Sequence, residues 1–251
     1  MATRPAGAAV RTDYPVRQAD DARFVRAVGW ILLAITLGAF VQSYFVPIAR
    51  GEFEAANVWM HPHALVSFAF AALFIAQPWL ILRENWQLHR HVGWVVGLLV
   101  LGAVVSGIAV QLGMWPTVPE DTANRIPAAF RLFQLLPTLS LFFIGGVLMR
   151  ARTDWHWRLM VHAAYAPVGT AMARFVRMIP DPPTGDAGPI LSLLLLCGIL
   201  ALVASDKVRY GRVHPANWIG LAFYVATVPL SLYLSGTAWY EGLSLGAGVA
   251  G

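Results

Sequence analysis

Residues 92–114 read VGWVVGLLVLGAVVSGIAVQLGM and contain no charged side chain. A helix needs about 20 apolar residues to cross a hydrocarbon core about 30 Å thick. Six further runs of this kind are predicted near residues 25–47, 58–82, 128–149, 159–179, 188–205 and 217–239. The pattern therefore predicts an all-α, polytopic membrane protein with seven transmembrane helices.

The composition points the same way. Of the 251 residues, 58% are hydrophobic and only 12% are charged, whereas soluble domains carry about 25% charged residues. Residues 1–24 are predicted to form a cytoplasmic N-terminal tail, and residues 25–251 a single membrane domain. The net charge of +5 is explained by basic loops between spans. The expected partner is therefore the lipid bilayer and not nucleic acid.

The orientation follows from the basic residues, which concentrate in cytoplasmic loops. With the N-terminus inside, most lysines and arginines fall in the tail and in the loops near Arg83, Arg150 and Lys207, while acidic residues such as Glu52 and Glu120 fall outside. The sequence thus predicts a cytoplasmic N-terminus and a periplasmic C-terminus.

Cysteine and lysine each occur once in the chain, which excludes two kinds of functional site. Cys197 is the single cysteine, so neither a disulfide framework nor a thiolate metal site is expected. A retinal Schiff base needs a lysine within a span, and Lys207, the single lysine, lies in a predicted loop. His214, in the same loop, is predicted to lie at the surface.

Four histidines lie at the starts of the third and fifth predicted spans: His89, His91, His156 and His162. These helices run in the same direction, so their starts lie at one depth, as a bis-histidine haem requires. Spacings of two and six residues leave neither pair on one helix face, so each helix offers at most one ligand. We expect His91 and His162 to be the metal ligands, with His89 and His156 as substitutes. The alternative is that these are interfacial histidines facing lipid phosphates.

The opposite ends of the spans carry a second polar set: His61, His63, Gln111, Arg131, Gln134, Arg174 and Arg177. Arg131 and Gln134 lie three residues apart, as do Arg174 and Arg177, so each pair is expected to share a helix face. The forked guanidinium group of arginine suits a haem propionate, another anion or a quinone carbonyl. Substrate binding is expected of five of them: His61, His63, Arg131, Gln134 and Arg174. The alternative is that the arginines extend to the lipid headgroups.

Two blocks resemble a bacterial family of predicted membrane proteins, a domain of unknown function. In the first block His63 opens one span, Gln77 lies near its far end, and the sequence His89-Arg90-His91-Val92-Gly93 opens the next. In the second block His156-Trp157-Arg158-Leu159-Met160 opens a later span that contains Arg174. The same region more remotely resembles cytochrome b561-type proteins. That resemblance implies transmembrane electron transfer, with haem b between the third and fifth spans. The fourth span lacks a histidine, so a second haem is not expected.

The leading interpretation is a bacterial inner-membrane protein with one b-type haem near its cytoplasmic side. It would exchange electrons with a quinone or with a larger respiratory or photosynthetic membrane complex, as a possible oxidoreductase subunit. A non-redox accessory or assembly subunit of such a complex is the first alternative. A small-molecule transporter or sensor that uses the outer arginines is the second. The spans are predicted to lack acidic residues, which argues against a proton-coupled carboxylate pump.

Overall fold

The computed structural model describes residues 17–55, 57–114, 128–178, 187–237 and 239–240. Helix accounts for 87% of this part of the chain and no strand occurs in it, which confirms the all-α class. The helices, in chain order, are α1 (Gln18–Arg50), α2 (Met60–Leu82), α3 (Trp86–Met114), α4 (Ala128–Leu148), α5 (Thr153–Tyr165), α6 (Val168–Arg177), α7 (Ala187–Tyr210) and α8 (Pro215–Ser235). Single π-helical turns occur at Val41–Phe45 in α1 and at Arg131–Leu135 in α4.

Six of these helices are long and apolar enough to cross a membrane, namely α1, α2, α3, α4, α7 and α8. Only 22–28% of the residues in their most apolar windows are buried within the protein. Large side chains such as Trp94 and Leu98 therefore face outward, where lipid rather than water is a favourable surrounding. The chain is a multi-pass membrane protein. Its first helix begins at Gln18, inside the stretch predicted as a tail.

The span predicted at residues 159–179 consists of two helices instead of one. Tyr165 ends α5 and Val168 begins α6. Pro167 lies between them, and proline both lacks an N–H group and clashes with the carbonyl one turn earlier. Pro78 lies inside the continuous helix α2, so a proline within a span does not always end the helix.

Helix α5 lies at the centre of the bundle, where it packs against α1, α4 and α8. Most of its residues are buried, including Val161 and Ala163 in the hydrophobic core. Because its neighbours separate it from lipid, α5 can carry polar side chains that a lipid-facing helix would not tolerate. This position explains why α5 is less apolar than the six long helices.

Glycines on α7 and α8 allow these helices to approach α5 closely. A Cβ at Gly220 would overlap the imidazole of His162, and a Cβ at Gly198 would overlap the phenol of Tyr165. The Tyr165 hydroxyl donates to the carbonyl of Leu195 at 3.0 Å. Small residues commonly permit such close packing in membrane bundles, and here they hold the polar residues of α5 against α8.

Candidate functional site

The structure brings His89 on α3 together with His156 on α5. Their ring centroids are 6.4 Å apart and their planes are inclined by 80°. Nδ1 of His156 donates to the carbonyl oxygen of Gly146 on α4 at 2.7 Å. This bond places the proton of the neutral ring on Nδ1 and leaves a lone pair on Nε2.

The ring of His89 is held by Gln77 on α2. In the orientation that satisfies its hydrogen bonds, the Gln77 amide nitrogen donates to Nδ1 of His89 and to the His89 carbonyl oxygen at 3.2 Å. The Gln77 side-chain oxygen accepts from the Gly93 amide at 3.0 Å. His89 therefore carries its proton on Nε2 in the neutral form. Four helices, α2 to α5, meet at this histidine pair.

His91 and His162, the two ligands expected from the sequence, form no hydrogen bond with His89 or His156. His91 is exposed and makes no hydrogen bond or ion pair with any described residue. His162 is 2% exposed, and its Nε2 atom lies 2.9 Å from Oδ1 of Asn217. Because an amide oxygen only accepts, the His162 proton lies on Nε2.

A buried ion pair joins α5 to α7. Arg158 and Asp206 are 1% and 0% exposed, and Nη2 of Arg158 lies 2.7 Å from Oδ1 of Asp206. Nε of Arg158 donates to the same carboxylate, at 2.9 Å to Oδ2. The Trp157 and Tyr210 rings lie 4.1 and 4.9 Å from the guanidinium carbon, which adds cation–π attraction. The pair is thus satisfied by the two-pronged geometry that suits arginine and carboxylate.

The Asp206 carboxylate links this ion pair to α8. Oδ2 of Asp206 accepts from Nδ2 of Asn217 at 2.9 Å and from the backbone N–H of His214 at 3.0 Å. Since Asn217 also accepts from His162, one chain of hydrogen bonds connects α5, α7 and α8. Such a network fixes one arrangement of the three helices.

His214 is buried, so the prediction that it lies at the surface is wrong. Its Nδ1 accepts from the backbone N–H of Ala216 at 3.0 Å, and its Nε2 donates to Oδ2 of Asp154 at 3.2 Å. Burial lowers the pKa of His214 below its usual value of 6.5, and the positive charge of Arg158 lowers it further. His214 is therefore neutral at pH 7, and it caps the start of α8.

Sequence reasoning missed this buried network although part of it was readable. Asp154, Arg158 and His162 follow one another at intervals of four residues, which places them on one face of a helix. A polar stripe on an otherwise buried helix indicates polar partners on its neighbours. Those partners, Asp206 and Asn217, are 48 and 55 residues away from their counterparts, and no local pattern identifies them.

At the opposite ends of the helices, His63 on α2 contacts α3. Its Nδ1 lies 2.9 Å from the Ser106 hydroxyl, which in turn donates to the carbonyl of Gly102 at 2.6 Å. Nδ1 of His63 is therefore the donor to Ser106, and its Nε2 retains a lone pair. The ring packs over Gly107, and Arg174 on α6 lies within electrostatic range of it.

The other predicted substrate-binding residues are distributed over several contacts. Arg131 donates from Nε to Oε1 of Gln111 at 2.7 Å. Gln134 is buried, and its amide nitrogen has no hydrogen-bond partner in the described part of the chain. Arg174 donates to the carbonyl of Thr170 at 2.9 Å. Since Arg131 and Gln134 lie in a π turn, the face-sharing expected from an α-helical spacing does not apply to them.

His61 lies outside these contacts. It is exposed, and its Nδ1 is 2.7 Å from the Tyr44 hydroxyl. Tyr44 and Phe53 stack around it at centroid distances of 5.8 and 5.6 Å. An aromatic cluster of this kind anchors the connection between α1 and α2. The side chain of Arg177 lies outside the described residues.

Comparisons with known proteins add no relative to this picture. No protein-family model, no curated protein and no solved structure matches this chain.

Proposed function

We propose that this chain is a bacterial inner-membrane protein that binds one b-type haem between α3 and α5 and takes part in transmembrane electron transfer. His89 and His156 would hold it. The observation that supports this most is the 6.4 Å separation of the two ring centroids, which lie on different helices. Two imidazoles from different helices that face each other at this separation suit the two-histidine ligand set of a b-type haem.

The number of available ligands favours haem over a metal ion held by protein alone. A structural or catalytic zinc site takes three or four protein ligands, and the described residues contain no group of three or more histidine, cysteine or acidic side chains placed to hold a metal. Haem iron takes only two axial ligands from the protein. When bound, the haem supplies one-electron transfer.

The hydrogen bonds of His156 suit an iron ligand. Metal-ligating histidines usually donate from their other nitrogen to a carbonyl or carboxylate, and Nδ1 of His156 donates to Gly146. Ligation through Nε2 of His89 would require its proton on Nδ1 and the Gln77 amide turned so that its oxygen accepts that proton. The turned amide would lose its bonds to the His89 carbonyl oxygen and to the Gly93 N–H. Gln77 would therefore be a positioning residue.

We propose His89 and His156 instead of the expected His91 and His162 because of the hydrogen bonds that these side chains already make. Nε2 of His162 already donates to Asn217 inside a buried network, so coordination there would leave the Asn217 oxygen without a donor. His91 is exposed, which suits a residue at the membrane surface. The roles left to them are structural for His162 and interfacial for His91.

The outer polar residues would be the exchange site for a quinone. Ser106 holds the His63 ring through Nδ1, which leaves the Nε2 lone pair to accept from a quinol hydroxyl. Arg174, within electrostatic range of His63, would favour the anionic forms of the molecule. Gln134, on α4, has a buried amide donor without a partner in the described chain, and this donor would suit a carbonyl oxygen.

The proposed topology has seven crossings, with a cytoplasmic N-terminus and a periplasmic C-terminus. Helices α5 and α6 together would form one of the crossings. Both pack along α1, and the 25 residues from Thr153 to Arg177 would span about 37 Å at 1.5 Å per residue. The arginine-rich ends of the helices support the orientation.

A second candidate is a non-redox accessory or assembly subunit of a respiratory or photosynthetic complex. The present orientation of Gln77 favours it, because the amide donates to His89 and so keeps the proton on Nε2. In this role the His89–His156 pair would be a joint that holds α2, α3, α4 and α5 together.

The visible absorption spectrum of the purified protein separates these candidates. A bis-histidine haem would give sharp bands in the reduced minus oxidised spectrum. Substitution His89→Ala or His156→Gly should remove them, and added imidazole should restore them in His156→Gly. The matched control is His91→Ala, which removes a neighbouring histidine from the same helix and should leave the spectrum unchanged.

Each outcome has one meaning. Loss of the bands in His91→Ala with retention in His89→Ala would refute the proposed pair in favour of the pair expected from sequence. A colourless protein after expression with excess haem would refute haem binding. Copurification of that colourless protein with a larger complex would then support the accessory role.

A further inference from the structure

An open groove of about 580 Å³ runs between α1 and α2, near the end of the bundle where α1 begins. Its floor consists of small side chains, Ala27 on α1 and Ala72 and Ala76 on α2. Below it the two helices are in close contact, since a Cβ at Gly29 would lie 2.9 Å from Cγ1 of Ile75. The groove therefore lies beside a close helix contact, and most of its lining is apolar.

Two tryptophans flank the groove. Trp30 and Trp79 are 57% and 44% exposed, although each presents a large apolar ring. Tryptophan is enriched where the headgroup region meets the hydrocarbon core of a bilayer. The two rings thus mark the level of the lipid headgroups on this side of α1 and α2.

Two arginines line the same groove, and few acidic groups of the protein neutralise their charge. Arg26 makes no hydrogen bond or ion pair with any residue that the structure describes. Arg23 is 64% exposed and bonds to Asp20, itself 62% exposed and one turn away, a contact of little strength in solvent. Arg83 adds a third positive charge nearby, with its guanidinium 5.0 Å from the Trp79 ring.

We propose that this groove binds an anionic phospholipid, with its phosphate held by Arg23 and Arg26 and one acyl chain lying over Ala72 and Ala76 between the two tryptophans. The guanidinium group matches phosphate in both charge and geometry. The alanine floor matches a hydrocarbon chain, and it offers no polar group to a soluble anion. A lipid carries an anionic headgroup next to an apolar chain, so it matches both the arginines and the alanines of the groove. A free ion matches the arginines alone. This site is independent of the histidine pair.

Native mass spectrometry of the full chain tests the proposal, with palmitoyl-oleoyl-phosphatidylglycerol as the probe and the matching phosphatidylcholine as the neutral lipid. We expect phosphatidylglycerol to stay bound at detergent concentrations that remove phosphatidylcholine. In the double variant Arg23→Gln/Arg26→Gln its affinity should fall about 25-fold, because each basic side chain near an anionic surface contributes about fivefold. Inorganic phosphate should not compete with the lipid.

Two further variants make the result specific. Arg90→Gln removes an exposed arginine outside the groove and should retain the affinity within twofold. Ala72→Phe fills the groove while retaining every charge and should weaken binding of phosphatidylglycerol at least fivefold. Equal losses in Arg90→Gln and in the double variant would overturn the proposal in favour of a general surface charge effect. Full competition by inorganic phosphate, or unchanged binding in Ala72→Phe, would overturn the acyl-chain part and leave an anion site.

Discussion

Replacing Asp206 by asparagine removes one charge from the buried ion pair and keeps the side-chain volume almost unchanged. Arg158 and Asp206 are 1% and 0% exposed, so the remaining guanidinium has no route to water without movement of α5 or α7. Removal of one partner from such a pair typically costs about 3–5 kcal/mol, because the other charge stays buried and uncompensated. We expect Asp206→Asn to lose about 3 kcal/mol, the lower limit, because the amide oxygen still accepts one hydrogen bond.

The free energy of unfolding can be measured by titration with denaturing detergent in mixed micelles, with tryptophan fluorescence as the signal. The matched control is Asp20→Asn, which breaks the exposed pair with Arg23 and should cost less than about 1 kcal/mol. The double variant Arg158→Met/Asp206→Asn should lose less than the sum of the two single variants, because it leaves neither charge alone. A loss below about 1 kcal/mol in Asp206→Asn, or strict additivity in the double variant, would refute the assignment of a buried, mutually dependent pair.

The remaining predictions concern a titrating group and a tight helix contact. Burial and the Arg158 charge lower the pKa of His214 below 6.5. The folded state therefore binds fewer protons than the unfolded state, and the free energy of unfolding should fall as the pH drops below about 6.5. Thermal unfolding between pH 8 and pH 5 should show this loss, and His214→Gln should reduce it; greater stability on acidification would contradict the neutral assignment. Gly220→Ala should cost about 1–3 kcal/mol, because the new methyl group overlaps His162. Gly93→Ala, where a Cβ meets nothing within 4 Å, is the control and should be neutral or gain up to about 1 kcal/mol from helix propensity.

The sequence predicted the helices of the membrane domain well where apolar runs are long and face lipid. Helix α2 begins and ends close to its predicted span, and α3 ends where predicted but begins at Trp86, six residues early. Lipid contact demands an uninterrupted apolar surface over these stretches. The crossing predicted at residues 159–179 is not confirmed, because the structure has two short helices there. There the helix is covered by its neighbours, so its composition is no longer constrained by lipid, and Pro167 divides it into two.

The candidate site was predicted in part. The sequence predicted that histidines of the third and fifth spans come together, and the structure brings His89 next to His156, whereas His91 and His162 were the expected pair. Which histidine of each helix faces the partner depends on helix rotation, and that rotation is set by packing against α2 and α4. The burial of His214 was also beyond local reasoning, because its partner Asp154 is 60 residues away.

The central position of α5 bears on how the chain is made. In the proposed topology α5 would enter the bilayer with Asp154, Arg158 and His162, and ionisable side chains within a span are costly until they find partners. The groups that compensate these costs, Asp206 and Asn217, belong to α7 and α8, which leave the ribosome later. In that topology α5 would find these partners only after the C-terminal third of the chain has been made.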